Sequence, residues 1–344
     1  MTGAHPTQRY ERQEPMSATT WAPSPVAHSI DLTLDAAERA ALAALAERLA
    51  RSDADLVDDP AWLDRARSLG CHAPARLREA IRRFRHDPGE DGWLLVRGLP
   101  IDPARLPATP IVIGSAQRAA TVPAALAMLI GTQLGEVIAY REEKDGALVQ
   151  DVLPVPGFEQ SQSNAGSVPL HLHVENAFHD LRPDYVGLIC LRGDQAAAAG
   201  TQVVSMRRVV DKLDRRDRAV LAQPRYRTAP PPSFRAGRAA DAHPVLGGAP
   251  DDPDVRLDRN ATDALDAEAA GALRRLYEVM EQATTRLVLR PGEMAVLDNR
   301  VVLHGRTSFT PRYDGTDRWL HRVYVHLDNR RTRPLRPGNG AVLS

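Results

Sequence analysis

Apolar positions fall into two periods along the chain, helical at the front and strand-like behind. From Thr33, "TLDAAERAALAALAERLARS" sets Leu42, Leu45 and Leu49 on one helical face with charges opposite. "DPAWLDRARSL", with Pro60 near its start, and "APARLREAIRRFRHD", ending before Pro88-Gly89, read as two further helices. "GWLLVRGLP" (92–100) is a short buried strand, and "PAALAMLIGTQLG" (123–135) a helix ended by glycine. The period then shortens. "EVIAYREE", "ALVQDVLPVPG", "LHLHVE", "DYVGLICLRG" and "TQVVSM" are strands separated by turn residues. "MRRVVDKLDRRDRAVLAQ" predicts a basic helix, and 230–263 a long Pro-, Gly- and Asp-rich loop of the kind that covers binding sites. "LDAEAAGALRRLYEVMEQATTRLVL" is the longest helix signal, and "GEMAVLDNRVVLHG" and "RWLHRVYVHLD" close the chain as strands. Many short strands behind a helical front do not read as doubly wound βαβ units. They predict a mainly β protein with flanking helices: an antiparallel sandwich or barrel.

The 344 residues suffice for one large domain or two ordinary ones. Residues 1–30 are polar and aperiodic and predict a disordered lead, within which Met16 is an alternative start. Residues 31–344 are then one domain: a helical part over 31–90 and a β core over 91–330, with 230–263 as a lid. Lys plus Arg and Asp plus Glu number 44 each, so net charge supports neither nucleic-acid nor anionic-membrane binding. No apolar run approaches the ~20 residues of a membrane span, and the N-terminus has no apolar signal core. Two cysteines cannot build a disulfide framework, and the expected compartment is a reducing cytoplasm. Neither charge nor a heptad pattern selects an oligomeric state.

Chemistry concentrates in "PLHLHVENAFHD" (169–180), where three histidines and a glutamate share an apolar stretch. With a strand period of two, His173 and Glu175 project together and Val174 projects away. One imidazole and one carboxylate are two adjacent metal ligands, and a second His completes the facial triad of non-haem Fe(II) oxygenases. Alone, the pair is as readily a solvated strand face. His304, 131 residues later, ends an apolar strand pair and is followed by Arg318 and Arg322. An arginine soon after the distal His suits a dicarboxylate co-substrate, because its planar fork grips a carboxylate bidentately and keeps its charge.

"HVENAFH" followed by "RPDYVGLICLR", the distal "LDNRVVLHGRTSFTPRYDGTDRWLHRVYV", and "QDVLPVPGFEQSQSNAGS" ahead of both resemble the clavaminate synthase-like, taurine dioxygenase-related oxygenases that use Fe(II) and 2-oxoglutarate. This group includes asparagine and arginine hydroxylases of peptide-antibiotic pathways. The resemblance covers most of 92–330 and implies a double-stranded β-helix, or jelly-roll, core. It implies His173, Glu175 and His304 as iron ligands, Arg318 assisted by Thr201 as the grip on the far carboxylate of 2-oxoglutarate, and Arg322 as the partner of a substrate α-carboxylate. O2 is the second co-substrate, and one of its oxygen atoms enters an unactivated C–H as 2-oxoglutarate becomes succinate. Related halogenases have Gly or Ala where Glu175 stands, so hydroxylation is expected here.

The small-molecule substrate implied is a free L-amino acid, hydroxylated at C3 or C4. Glu142, Glu143 and Ser163 are candidates for its amine. Asp252, Asp254 and Asp258 in "GAPDDPDVRLD" are candidates for a cationic tail, since a buried guanidinium needs a carboxylate. Arginine is favoured on that ground over citrulline, lysine or enduracididine, with Arg256 standing close to the acidic residues. Three other readings use the same residues: clavaminate synthase-like cyclisation or desaturation of a larger substrate, a non-catalytic metal-binding β-barrel, and a zinc hydrolase. The last leaves Arg318 and Thr201 without a task.

Overall fold

Helix capping and strand alternation set the architecture. The computed structural model describes residues 30–52, 56–231, 234 and 241–344. Residues 1–29 of the expected lead 1–30, and 232–233 and 235–240 of the expected lid, lie outside the described residues, while Ile30 begins a strand. In chain order the elements are β1 (Ile30–Thr33), α1 (Ala36–Ala50), α2 (Pro60–Gly70), α3 (Ala75–His86), β2 (Trp93–Arg97), α4 (Val122–Leu134), β3 (Glu136–Tyr140), β4 (Gln150–Val152), β5 (Leu170–His173), β6 (Tyr185–Arg192) and β7 (Thr201–Ser205). There follow α5 (Arg215–Leu221), β8 (Tyr226–Thr228), β9 (Leu246–Ala249), β10 (Asp252–Val255), β11 (Thr262–Ala264), α6 (Ala267–Ala283), β12 (Thr285–Leu287), β13 (Met294–Asp298), β14 (Val302–Arg306), β15 (Trp319–His326) and β16 (Val342–Leu343).

Asp35 caps α1 in a reciprocal box with Glu38, and Pro60 opens α2 behind the Asp59 cap. Leu42, Ala46 and Leu49 of α1 are buried against α2 and α4. α4 is apolar on all sides because it is surrounded, by the other helices on one side and by the sheet on the other.

Two open sheets form the jelly-roll core. The larger runs β1-β2-β13-β6-β15-β3-β16, with β4 also pairing β15; the smaller runs β12-β7-β14-β5. Alternation sorts their side chains. On β6, Tyr185, Ile189 and Leu191 meet α1–α4, while Val186, Leu188 and Cys190 face the smaller sheet. On the smaller sheet Val204 and Leu303 turn outward onto α5 and α6, while Val203 and Val302 turn inward. The layers are therefore helices, large sheet, small sheet, helices, and polar side chains on the inward faces sit between the two sheets.

Three expected elements differ. The basic segment 206–223 is not one helix: it makes two short 3-10 turns, then α5. Asp214 accepts a bond from the Asp217 amide and starts a new helix there, although Met206, Val209, Val210 and Leu213 are buried at the i, i+3, i+4, i+7 spacing of one helical face. "ALVQDVLPVPG" keeps only β4, because Pro154 and Pro156 have no amide to donate. The long 230–263 segment contains the β9–β10 hairpin and β11, which pairs β8. No helix among the described residues is long and apolar enough to cross a membrane.

Candidate active site

β5 and β14 are antiparallel neighbours, and their register sets His173 directly opposite His304. Residues directly opposite in such a pair share a face, and the two imidazole centroids are 4.5 Å apart. This pairing is how two histidines distant in sequence meet. It depends on Gly305: a Cβ there would lie 2.4 Å from the Leu170 carbonyl oxygen, where the ladder shifts register between His304 and Arg306.

Glu175 reaches the same point by a different route from the one strand periodicity suggests. β5 ends at His173, and Glu175 stands in a turn continued by Asn176 at φ +54°. Val174 leaves the ladder to bond the Leu257 carbonyl. Asn299, from the β13–β14 turn, fixes the position: its Oδ1 accepts the Glu175 amide at 2.7 Å, and its Nδ2 donates to the Glu175 and Pro183 carbonyls. One ligand atom from each of His173, Glu175 and His304 lies within 4.8 Å of the other two.

Their protonation suits a divalent metal. The His173 Nδ1 faces the His171 carbonyl at 2.8 Å, which only accepts, so Nδ1 carries a hydrogen and Nε2 is left as the ligand atom. Burial, reinforced by the His173 charge, pushes the His304 pKa down and keeps that ring neutral. Burial works against the Glu175 charge, but Arg322 and the two imidazoles outweigh it and hold the carboxyl well below the usual range. A buried ionised carboxylate beside two imidazoles is the donor set an Fe(II) or Zn(II) site needs.

A buried cluster extends from Glu175. Arg322 Nη1 donates to Glu175 Oε1 at 2.6 Å, and Nη2 donates to Glu143 Oε1 and Gln150 Oε1. The Tyr324 hydroxyl bonds Glu175 Oε2 at 3.0 Å and Glu143 Oε1 at 3.2 Å. Glu143 Oε2 is buried without a partner. Its turn is held in an unusual backbone, with Lys144, Asp145 and Gly146 at φ +48°, +52° and +73°. Lys144 Nζ donates to the Ser115 carbonyl at 2.9 Å and to that of Asp151, while Arg118 donates to the Lys144 and Asp145 carbonyls. Burial brings the Lys144 pKa down to about 8.

Arg318, just before β15, is buried, and its Nη2 lies 3.4 Å from Thr201 Oγ1. Among the described residues no carboxylate pairs with it, and burial pushes its pKa down. Arg306 is buried nearby; it donates to the Ser163 and Val168 carbonyls, and its pKa falls to about 9 through burial and the Arg318 charge. A buried guanidinium without an anion is costly, so this end of the site is built for an anionic ligand.

The other candidates are dispersed. Glu142 is exposed, and the Ser163 hydroxyl is taken up by the Ser161 hydroxyl and the Ala165 amide within its own turn. Asp252 is paired with Arg207, and Asp254 is exposed on the β9–β10 hairpin. Arg256 turns to Asp180 and the Ala177 and Phe178 carbonyls. Asp258 alone of the three aspartates is beside the triad, bridged across the chain to His173. His171 is exposed, and His179 packs on Tyr140 and Phe178. Residue types alone did not reveal Asn299, Gln150 and Tyr324. For Tyr324 a signal existed, since it lies two positions from Arg322 on a strand.

A jelly roll with two imidazoles and a carboxylate between its sheets defines the class of non-haem metal oxygenases. The chain belongs to the "Taurine catabolism dioxygenase TauD, TfdA family", whose model matches residues 66–324, and it is accordingly an iron- and 2-oxoglutarate-dependent dioxygenase. It is 47% identical over 314 residues to L-asparagine oxygenase of Streptomyces coelicolor, covering 91% of this chain and 94% of that protein. A solved structure of asparagine oxygenase with Fe(II), 2S,3S-3-hydroxyasparagine and succinate superposes with a TM-score of 0.89 over 91% of this chain and 98% of that one, at 47% identity. The non-heme iron oxygenase OrfP with Fe, succinate and (3S)-hydroxy-L-Arg matches with a TM-score of 0.84 at 31% identity, covering 92% and 100%.

Proposed function

We propose that this enzyme hydroxylates C3 of free L-asparagine. The observation carrying this reading is the distribution of acidic side chains. A guanidinium tail needs carboxylates, yet Asp252 is paired with Arg207 and Asp254 is exposed, which leaves Asp258 beside the triad. The arginine preference expected from the sequence rested on that acidic group. A short uncharged tail needs no such group, and the 47% identity to an asparagine oxygenase supports the same choice over the 31% to OrfP.

His173, Glu175 and His304 would hold Fe(II), with Tyr324 and Arg322 steadying the carboxylate. Bound Fe(II) would activate O2, the oxidant, so that 2-oxoglutarate loses CO2 to give succinate with one oxygen atom entering succinate and the other the substrate C–H. Arg318 and Thr201 would grip the far carboxylate of 2-oxoglutarate. Glu143 would accept the substrate ammonium through its unpaired Oε2, and Arg322 would face the α-carboxylate. Two charged anchors at Cα leave only the adjacent carbon free to be aimed, so position determines which C–H reacts.

The test is an Fe(II)- and 2-oxoglutarate-dependent assay against a panel of free amino acids, started by admitting air and read by mass spectrometry. Asparagine should gain one oxygen atom with matching succinate. Preferential oxidation of arginine would reverse the substrate choice.

A further inference from the structure

Gln150 is buried to 1% exposure on β4 and stands directly opposite Arg322 on β15, so the two side chains share the inward face. Its amide orientation is dictated by its neighbour. Arg322 presents only N–H donors, and both its Nε and Nη2 point at Gln150 Oε1. Turning the amide over would set donor against donor. Nε2 is therefore aimed away from Arg322, and it is buried without a partner. Leaving a buried N–H unpaired is costly, and Glu143 Oε2 is an equally unpaired acceptor. The buried cluster around Arg322 Nη2 thus holds an unused acceptor and an unused donor, the complement of an ammonium and a carboxylate on one carbon. Val152, two positions on, is part of the apolar core between the sheets, so β4 places Gln150 at the border between core and cluster.

We infer that Gln150 is a substrate-binding residue that donates its Nε2–H to the α-carboxylate of the amino acid, beside Arg322. It selects for that carboxylate in two ways. It adds a neutral donor that keeps its hydrogen at every working pH, and its oxygen holds the Arg322 fork flat against the ligand. This rests on the proposed amino-acid reading of the site but not on asparagine in particular.

The test compares wild type with Gln150→Glu, which keeps the acceptor for Arg322 but replaces the donor, and with Gln150→Met, which removes both and adds no charge. Binding is measured by calorimetry without oxygen, on full-length protein loaded with Fe(II) and 2-oxoglutarate. Both variants should weaken L-asparagine by roughly tenfold or more, the size of a lost hydrogen bond to a charged group. The 2-oxoglutarate affinity should stay within about twofold, since that ligand is held elsewhere. L-Asparaginamide, whose α-carboxylate is replaced by a carboxamide, should be strongly disfavoured by wild type and less so by Gln150→Glu, whose new carboxylate accepts from the carboxamide N–H. Undiminished asparagine binding in either variant overturns the inference, as does unchanged discrimination against the amide in Gln150→Glu. If wild type binds another amino acid and not asparagine, the proposed substrate fails, and the same comparison with that amino acid still decides the role of Gln150.

Discussion

Glu175 shows how much of the site is settled by single side chains. Its carboxylate converges with His173 and His304 and accepts from two donors, Arg322 and Tyr324, and its backbone is held by Asn299. Asn299→Ala removes three bonds from one turn, and leaves the buried amide of Glu175 unpaired. It should cost about 1–3 kcal/mol of stability and lower iron affinity, read by thermal melting and metal titration. Arg318→Ala should raise the 2-oxoglutarate requirement by roughly a hundredfold, the loss of a bidentate charged contact, with the KM for the amino-acid substrate little changed. Equal rises in both would place Arg318 elsewhere. The residues legible in the sequence were those whose chemistry has few other uses, and the structure gathers them: His173, Glu175 and His304 in one cluster, Arg318 beside Thr201. Gln150, Tyr324 and Asn299 were not legible, because buried amides and phenols serve ordinary packing far more often than ligands.

At the scale of elements, the strands matter most where they end or bulge. The sequence predicted that Glu175 would join His173 by strand alternation. They do converge, but through a strand end and a turn with Asn176 at φ +54°, which an HxE pattern cannot encode. Gly305→Ala would push a methyl into the Leu170 carbonyl and separate β14 from β5. It should destabilise the fold by about 1–3 kcal/mol and reduce metal affinity more than it reduces 2-oxoglutarate affinity. The turn after Glu143 is held by the Lys144 ammonium, whose pKa is near 8. The base of the β8–β11 pair carries a second titratable group. His243 is buried, donates from Nδ1 to the Pro244 carbonyl, and meets the Thr228 hydroxyl through Nε2, with Thr262 beyond. Burial lowers its pKa from 6.5 to about 4. Between those values the unfolded chain holds a proton that the folded one refuses. Stability should therefore fall as pH drops from 6.5 towards 4, by at most about 3 kcal/mol. In His243→Gln that part of the slope should vanish in urea titrations at stepped pH.

For the whole molecule, the layering explains why the site is where it is. Helices cover the outer faces of the two sheets, and the inward faces of β5, β14, β15 and β4 bring His173, His304, Arg322, Tyr324 and Gln150 together between the sheets. The mainly β class and the helical front were legible from the change of period. The pairing of distant strands was not, since register is set by tertiary contacts; it was the resemblance of the metal segments that implied a jelly roll. The central claim is that His173, Glu175 and His304 close on one ferrous ion. Anaerobic Fe(II) titration of the wild type and of His304→Ala, each with 2-oxoglutarate present, tests it most directly. Wild type should bind one equivalent tightly and His304→Ala should lose that binding while remaining folded. Undiminished stoichiometric Fe(II) binding by folded His304→Ala would contradict it.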